Sequence, residues 1–284
     1  MKQKQRIALF GMLAVALILA ACDGDSGNNG TETEGNSSSS TGIYSSGGQM
    51  NSSPAVKSSS SSVKVRSSSS PPLSSSVGVE SSSSPGTLID ARDGQTYKTV
   101  TIGAQTWMAD NLNYADSAAM PNLNGNSWCY NNRADSCAKY GRLYTWTAAM
   151  DIASSYQSVS AAAVISTPQQ GACPAGWHVP TNAEWTALED AVGGSSTAET
   201  TLKSTSGWDD DANGTDAYGF SALPAGYRGY NGFFYYVGNC AYFWSATEFG
   251  TNNAYSRYLD YCDAYMDKDY NREDDAFSVR CVQD

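Results

Sequence analysis

The sequence has a single histidine, His178, and no Cys-x-x-Cys pair. A His-rich metal site is thereby excluded, and neither dithiol redox chemistry nor a structural zinc site is expected. Positive charge is scarce: 17 Lys and Arg stand against 28 Asp and Glu, for a formal net charge of −11. A chain so short of cations cannot displace counterions from phosphates, so nucleic acid is not an expected partner. Long apolar runs are missing too. The longest, Ile7 to Ala20, has 14 residues, fewer than the roughly 20 that cross a bilayer as a helix. The length of 284 residues leaves room for one or two domains at roughly 100–200 residues each.

That apolar run follows Lys2, Lys4 and Arg6 and ends in Leu19-Ala20-Ala21-Cys22. A basic start, a short apolar stretch and small residues before the cut make an export signal. The last four residues resemble the bacterial lipobox. The resemblance implies a signal peptide over 1–21, cleaved before Cys22, and an acylated Cys22 thiol holding the mature chain to a membrane. Each buried methylene contributes about 0.8 kcal/mol, so more than one acyl chain gives stable anchoring. The expected location is the bacterial cell envelope, periplasmic or at the outer surface. Residues 22–86 read as a tether. From Asn36 to Ser84, 24 of 49 residues are Ser, and such a segment cannot bury enough apolar area to offset its ordering entropy. A disordered spacer of roughly 45 Å r.m.s. span is expected.

Residues 87–284 can build one sizeable core. They hold 11 Lys and Arg against 23 Asp and Glu, all seven Trp, and six Cys. An even cysteine number in an exported chain implies three disulfides. Six cysteines allow many pairings. The preferred set is Cys129–Cys137 and Cys240–Cys262, which close local loops, with Cys173–Cys281 closing most of the domain. Leu88 to Asp90 and Tyr97 to Ile102 read as a hairpin turning at Gly94. Leu143 to Met150 passes from a strand end into a short helix. Thr181-Asn-Ala-Glu184 is a capping box, followed by Trp185, Leu188 and Val192 at helical spacing and by the stop Gly193-Gly194. Short strand-like runs follow at Phe220–Leu223, Tyr242–Thr247, Ala254–Leu259 and Phe277–Val282. The expected class is α+β: two short helices, antiparallel strands and long loops.

Six ordered blocks carry a resemblance. They are Thr99 to Asn113 (TVTIGAQTWMADNLN), Gly141 to Trp146 (GRLYTW), Cys173 to Thr181 (CPAGWHVPT), Gly219 to Arg228 (GFSALPAGYR), Phe243 to Glu248 (FWSATE) and Ser278 to Val282 (SVRCV). Together they are similar to the Fibrobacter succinogenes major paralogous domain, from about Ile89 to Gln283. The resemblance implies exported, often lipid-anchored bacterial proteins. Pro180 to Trp185 also resembles a block of the wider C-type-lectin-like superfamily. That likeness implies a C-type-lectin-like fold in which a Cys before one helix bonds a Cys in the last strand, as Cys173 and Cys281 would. The superfamily's sugar-binding lectins use Glu-Pro-Asn or Gln-Pro-Asp with Trp-Asn-Asp. Neither motif occurs here. Its formylglycine-generating enzymes use a pair of active cysteines, whereas each Cys of this domain has an expected disulfide partner.

The candidate sites differ in weight. His178, in Gly-Trp-His-Val-Pro before a helix, reads as a hydrogen-bonding residue in or near the core rather than the base of a triad. Glu184 belongs to the capping box, Glu189 to a helix surface and Glu248 to a strand end. Asp209, Asp211, Asn213 and Gly214 begin like a calcium loop, with Asp216 beyond, but Phe220 stands where the bidentate Glu belongs. A solvated acidic turn is the preferred reading, and no cofactor is expected. Asp267, Asp269 and Asn271 read as a hairpin tip. Aromatic residues give the remaining signal: Tyr230, Phe234 and Tyr236 in a Gly/Asn-rich stretch, and Trp128, Tyr130 and Trp208 on other loops. Rings on loops stack on sugar faces and suit protein recognition. The expectation is a non-catalytic binding module for a polysaccharide or an envelope protein. The alternatives are a structural envelope component and, behind it, an exported hydrolase or modifying enzyme.

Overall fold

The computed structural model describes residues 85–284. The expected signal peptide, Cys22 and the tether up to residue 84 lie outside the described residues. Strand β1 (Pro85–Ile89) takes in Pro85 and Gly86, ahead of the expected domain start at Thr87. It pairs antiparallel with β2 (Thr96–Ile102), Leu88 opposite Tyr97, as the sequence predicts. The turn between them is held by Asp90, which receives the Arg92 guanidinium at 2.7 Å. Strand β3 (Gln105–Met108) continues the meander. Then come β4 (Ser127–Trp128), α1 (Ala134–Tyr140), β5 (Leu143–Thr145) and α2 (Trp146–Ala149).

Strand β6 (Trp177–His178) leads into α3 (Asn182–Ala191). The capping box is formed: Thr181 Oγ1 accepts from Glu184 N at 3.3 Å, and Glu184 Oε2 accepts from Thr181 N at 2.8 Å. A further helix, α4 (Ser195–Leu202), begins directly after Gly193-Gly194. The described residues therefore hold four α-helices, where two were expected. In α4 only Ala198 and Leu202, one helical turn apart, are buried, and the Ser/Thr-rich remainder hides the period. The chain closes with β7 (Ala225–Arg228), β8 (Phe234–Val237), β9 (Cys240–Phe249), β10 (Asn253–Asp260), β11 (Asp267–Arg272), β12 (Ala276–Phe277) and β13 (Val282–Gln283). Residues 267–271, expected as a hairpin tip, thus lie on a strand.

Two sheets result. One has the order β1-β2-β3-β13-β6; the other runs β11-β10-β9-β7-β12-β5-β4, with β8 added on β7. The named strands pair antiparallel except β7 with β9, so the mixed, mostly antiparallel class expected from the sequence is observed. Strand β9 is buried on both faces. Phe243 enters a core with Trp107, Trp185 and Phe220, while its neighbour Trp244 enters another with Trp146, Tyr144 and Phe277. The indole N–H of Trp146 donates to Ser245 O at 2.9 Å and that of Trp244 to Tyr144 O at 2.8 Å. These bonds satisfy the polar atom that each buried indole brings.

Two disulfides join described residues, Cys129–Cys137 and Cys173–Cys281. The expected Cys240–Cys262 bridge is not formed, so two bridges join described residues where three were expected. Asp260, not Cys262, lies opposite Cys240 in the β9–β10 ladder. A residue two places further along sits on the diagonal, about 7–8 Å away, beyond the usual disulfide span. Cys240 is a buried free thiol whose Sγ approaches Asp260 Oδ2 at 3.0 Å. Burial, and then the Asp260 carboxylate, push this thiol far above its ordinary pKa. Among the described residues, no helix is long and apolar enough to cross a membrane.

Candidate functional site: an aromatic and cationic face

Strands β7 and β8 present the Gly/Asn-rich aromatic stretch as a hairpin. Arg228 is opposite Phe234 and Tyr227 opposite Tyr235. Between these pairs and Ala225–Val237, Gly226 (φ +63°) faces Tyr236 (φ +59°). A Cβ at Gly226 would run into the backbone of Tyr235 to Val237, which explains glycine there. Tyr236 keeps a left-handed backbone that a bulky residue rarely adopts, and its ring is half exposed, at 51%. The turn that closes the hairpin carries Tyr230 and Phe233, at 62% and 67% exposure. Tyr230 N donates to Asp275 Oδ1 at 2.8 Å. Burial raises the Asp275 carboxyl to about 6.

Cations meet these rings. The Arg272 guanidinium lies 4.4 Å from the Tyr230 ring centre, and that of Arg228 lies 3.8 Å from Trp128 and 5.9 Å from Phe234. On β11, Lys268, Tyr270 and Arg272 alternate outward. Tyr270 stacks on Phe249 at 4.1 Å, Phe249 meets Tyr255 at 5.2 Å, and Lys268 lies over Tyr255 at 5.7 Å. The face therefore runs from the hairpin turn through Arg272 onto the free edge strand of the larger sheet.

Five of the six aromatic candidates lie on or against the β7–β8 hairpin. Trp128, Tyr130 and Phe234 form one cluster with Leu143 and Ala276, Tyr130 and Phe234 being 5.2 Å apart. Tyr230 is exposed on the hairpin turn, and the exposed Tyr236 ring meets Tyr227 at 5.9 Å and Tyr235 at 6.2 Å. Trp208 is elsewhere. It is 5% exposed, its indole N–H is shared by Ser204 Oγ and Ala222 O at 3.2 Å each, and Lys203 covers it. Sequence reasoning missed Arg228, Phe249, Tyr255, Lys268, Tyr270 and Arg272. The period-two pattern Lys268-x-Tyr270-x-Arg272 was the available signal.

The other candidates are engaged within the protein. His178 is 5% exposed, with Nδ1 2.6 Å from Asp284 Oδ1 and Nε2 2.7 Å from Glu184 Oε1. That arrangement fits the core hydrogen-bonding role read from the sequence. Glu189 pairs with Arg257, and Glu248 accepts from Ala161 N at 2.6 Å and Ser160 Oγ at 2.8 Å. In the acidic turn, Asn213 Oδ1 accepts from Trp208 N at 3.1 Å and Asp216 accepts from Ser221 N at 2.7 Å. Asp209 N donates to Gly238 O, and Asp211 is exposed. Among the described residues, no three His, Cys, Asp or Glu side chains are grouped to hold a metal ion. One further acid escaped the sequence reading. Glu273 is fully buried with both carboxyl oxygens unpartnered, and burial, with Glu248 and Asp274 nearby, raises it to about 8.

A cleft of about 540 Å³ opens separately, lined by Arg92, Tyr114, Asp151 and Gln169 among others. Its polar groups already bond the protein: Arg92 to Ala172 O, Asp151 to Asn122, and Gln169 to Met150 O.

Comparison with known proteins decides the family. The Fibrobacter succinogenes major domain matches residues 100–283. The chain belongs to this family. The match covers all of the aromatic and cationic face, so the face is part of a Fibrobacter succinogenes major domain and not an appendage to it. No curated protein and no solved structure matches the chain.

Proposed function

We propose that this protein is an envelope lipoprotein whose C-type-lectin-like domain acts as a non-catalytic binding module for a glycan. In this reading acylated Cys22 holds the chain to a membrane and the Ser-rich segment spaces the module from it. One observation carries the binding role: Tyr230, Phe233, Tyr236 and Tyr270 are exposed on one scaffold, with Arg272 set against the Tyr230 ring and Arg228 against neighbouring Trp128. Large rings with few rotatable bonds lose little entropy on binding, and their faces match the apolar faces of sugars.

The test is a glycan and plant-polysaccharide binding screen on the full chain, repeated with EDTA. Binding is expected, weakened about tenfold or more by Tyr230→Ala or Tyr236→Ala and unchanged by EDTA. Failure to bind any sugar would overturn the glycan reading and favour a protein ligand or a structural envelope role. The anchor is tested apart from the ligand. Cys22→Ser is expected to release the protein from the membrane fraction, and unchanged fractionation would refute anchoring.

A further inference from the structure

Seven arginines lie among the described residues, and six of them are engaged. Arg92, Arg133, Arg257 and Arg272 each face a carboxylate. Arg142 donates to Ser127 O, and Arg280 to Asn111 Oδ1 and two carbonyls. Arg228 alone among them has neither a hydrogen bond nor an ion pair. Its neighbours are rings: Trp128 beneath the guanidinium, Phe234 beside it, and Tyr130 packed on Phe234. It is half-buried, and desolvation makes its charge harder to hold. Gly232 runs past Nη2, and an added Cβ there would stand a tight 3.2 Å away.

An unpaired guanidinium is unexpected in a domain where acids outnumber bases two to one. Nearby acids are held by other groups: Asp275 by Tyr230 N, Asp274 by Arg272. The guanidinium lies over Trp128, and its N–H edge has no acceptor among the described residues. That edge carries parallel donors matched to the two oxygens of a carboxylate. The adjacent turn contributes the exposed rings of Tyr230 and Phe233.

We infer that Arg228, stacked on Trp128, is the carboxylate-binding residue of this face, and that the ligand is an acidic polysaccharide built from uronic acid units. The inference rests on the glycan-binding reading and names the sugar class. A uronate joins an apolar ring face and a carboxylate in one residue, which fits a guanidinium set beside exposed rings. An acidic peptide offers the carboxylate without the flat apolar ring.

The experiment measures binding of the full chain to polygalacturonate, to the same polymer fully methyl-esterified, and to polyglutamate, at low and high salt. Polygalacturonate is expected to bind, and the methyl ester to bind about 10- to 100-fold more weakly, the range for a charged hydrogen-bonded contact. Arg228→Gln should weaken polygalacturonate binding by a similar factor. Arg228→Lys, which keeps the charge but loses the fork, should fall between. Binding should decline as salt rises. Arg228→Gln removes no hydrogen bond, and the ester comparison needs no variant, so a folding defect would not obscure the result. Equal binding of acid and ester, or Arg228→Gln binding like the wild type, would overturn the inference. Polyglutamate bound as tightly as polygalacturonate would overturn it in favour of an acidic peptide. Neutral glycans bound through Tyr230 and Tyr236 without Arg228 would overturn it while leaving the binding module standing. Loss of all sugar binding would overturn both.

Discussion

Arg280 and Arg228 both lie against aromatic rings, yet the protein treats their guanidinium groups in opposite ways. Arg280 is fully buried, 4.5 Å from the Phe220 ring and 5.5 Å from Phe243. Its Nε donates to Asn111 Oδ1 at 2.7 Å, Nη2 to Ser221 O at 2.8 Å and Nη1 to Phe220 O. Burial lowers its pKa only to about 10, so it stays charged at neutral pH. Arg228 has the rings without the acceptors. Arg280 lies between β12 and β13, where the chain passes from one sheet to the other, and its donors tie that crossing to residues 108–111 and 220–221. A buried charge is tolerable because it is bonded; a half-exposed one can be left open for a partner.

The sharpest way to break this contrast is at Arg280. Arg280→Ala orphans three buried acceptors, each worth about 1–3 kcal/mol, and leaves a cavity beside Phe220. The expected loss is roughly 4–6 kcal/mol in urea denaturation, enough to threaten folding. A loss below about 1 kcal/mol would show that the guanidinium is no more structural inside than outside.

The rings repeat the comparison. Trp185 is fully buried, 4.7 Å from Trp107 and 5.7 Å from Phe243. Trp185→Ala is expected to cost about 3–5 kcal/mol. Tyr230→Ala, at an exposed turn, should cost less than about 1 kcal/mol while weakening ligand binding. Equal losses at the two positions would mean that the outer rings serve packing and not recognition.

How far this division could be read from the sequence depends on the residue. The α3 helix was legible because its signals are local: Thr181 and Glu184 cap it, and Trp185 and Leu188 mark its face. The two disulfides between described residues followed from chain order and family likeness. The third failed because pairing depends on register, and a two-residue offset between Cys262 and the Cys240 ladder position leaves no trace in spacing. Helix α4 was hidden because tertiary burial of Ala198 and Leu202 sustains it where its Ser and Thr residues give little propensity. At the site, aromatic density in residues 227–236 was visible, but Trp208 and Tyr230 look alike in sequence. Only burial separates them, and burial is set by distant segments. The role of Arg228 depends on which acids are already occupied, a property of the whole fold.

Acids give a third form of the contrast. Glu248 is held by Ala161 N and Ser160 Oγ, whereas Glu273 is buried nearby with nothing to accept from. Its carboxyl moves from the ordinary 4.5 to about 8. The folded protein keeps this proton to higher pH than the unfolded chain does, so stability falls as pH rises from about 4.5 to about 8. Glu273→Gln removes the ionisation. It should be near neutral at pH 4 and more stable than wild type by roughly 2–4 kcal/mol at pH 8. Urea midpoints across this range would check it, and a constant offset between variant and wild type would disprove the linkage.

The smallest expected effect is the stability change at Arg228. Arg228→Ala removes one stacked cation, worth about 0.5–1 kcal/mol at a partly exposed site, and relieves the desolvation of an unpaired charge. These terms oppose each other, so the net change should stay within about 1 kcal/mol, with the melting curve otherwise unaltered. A loss above about 2 kcal/mol would make the Arg228–Trp128 stack a structural strut like Arg280. The unpaired N–H edge would then be a by-product of packing. A near-zero change, set beside a large loss of acidic-polysaccharide binding, would mean that the stack keeps the guanidinium in place for a ligand.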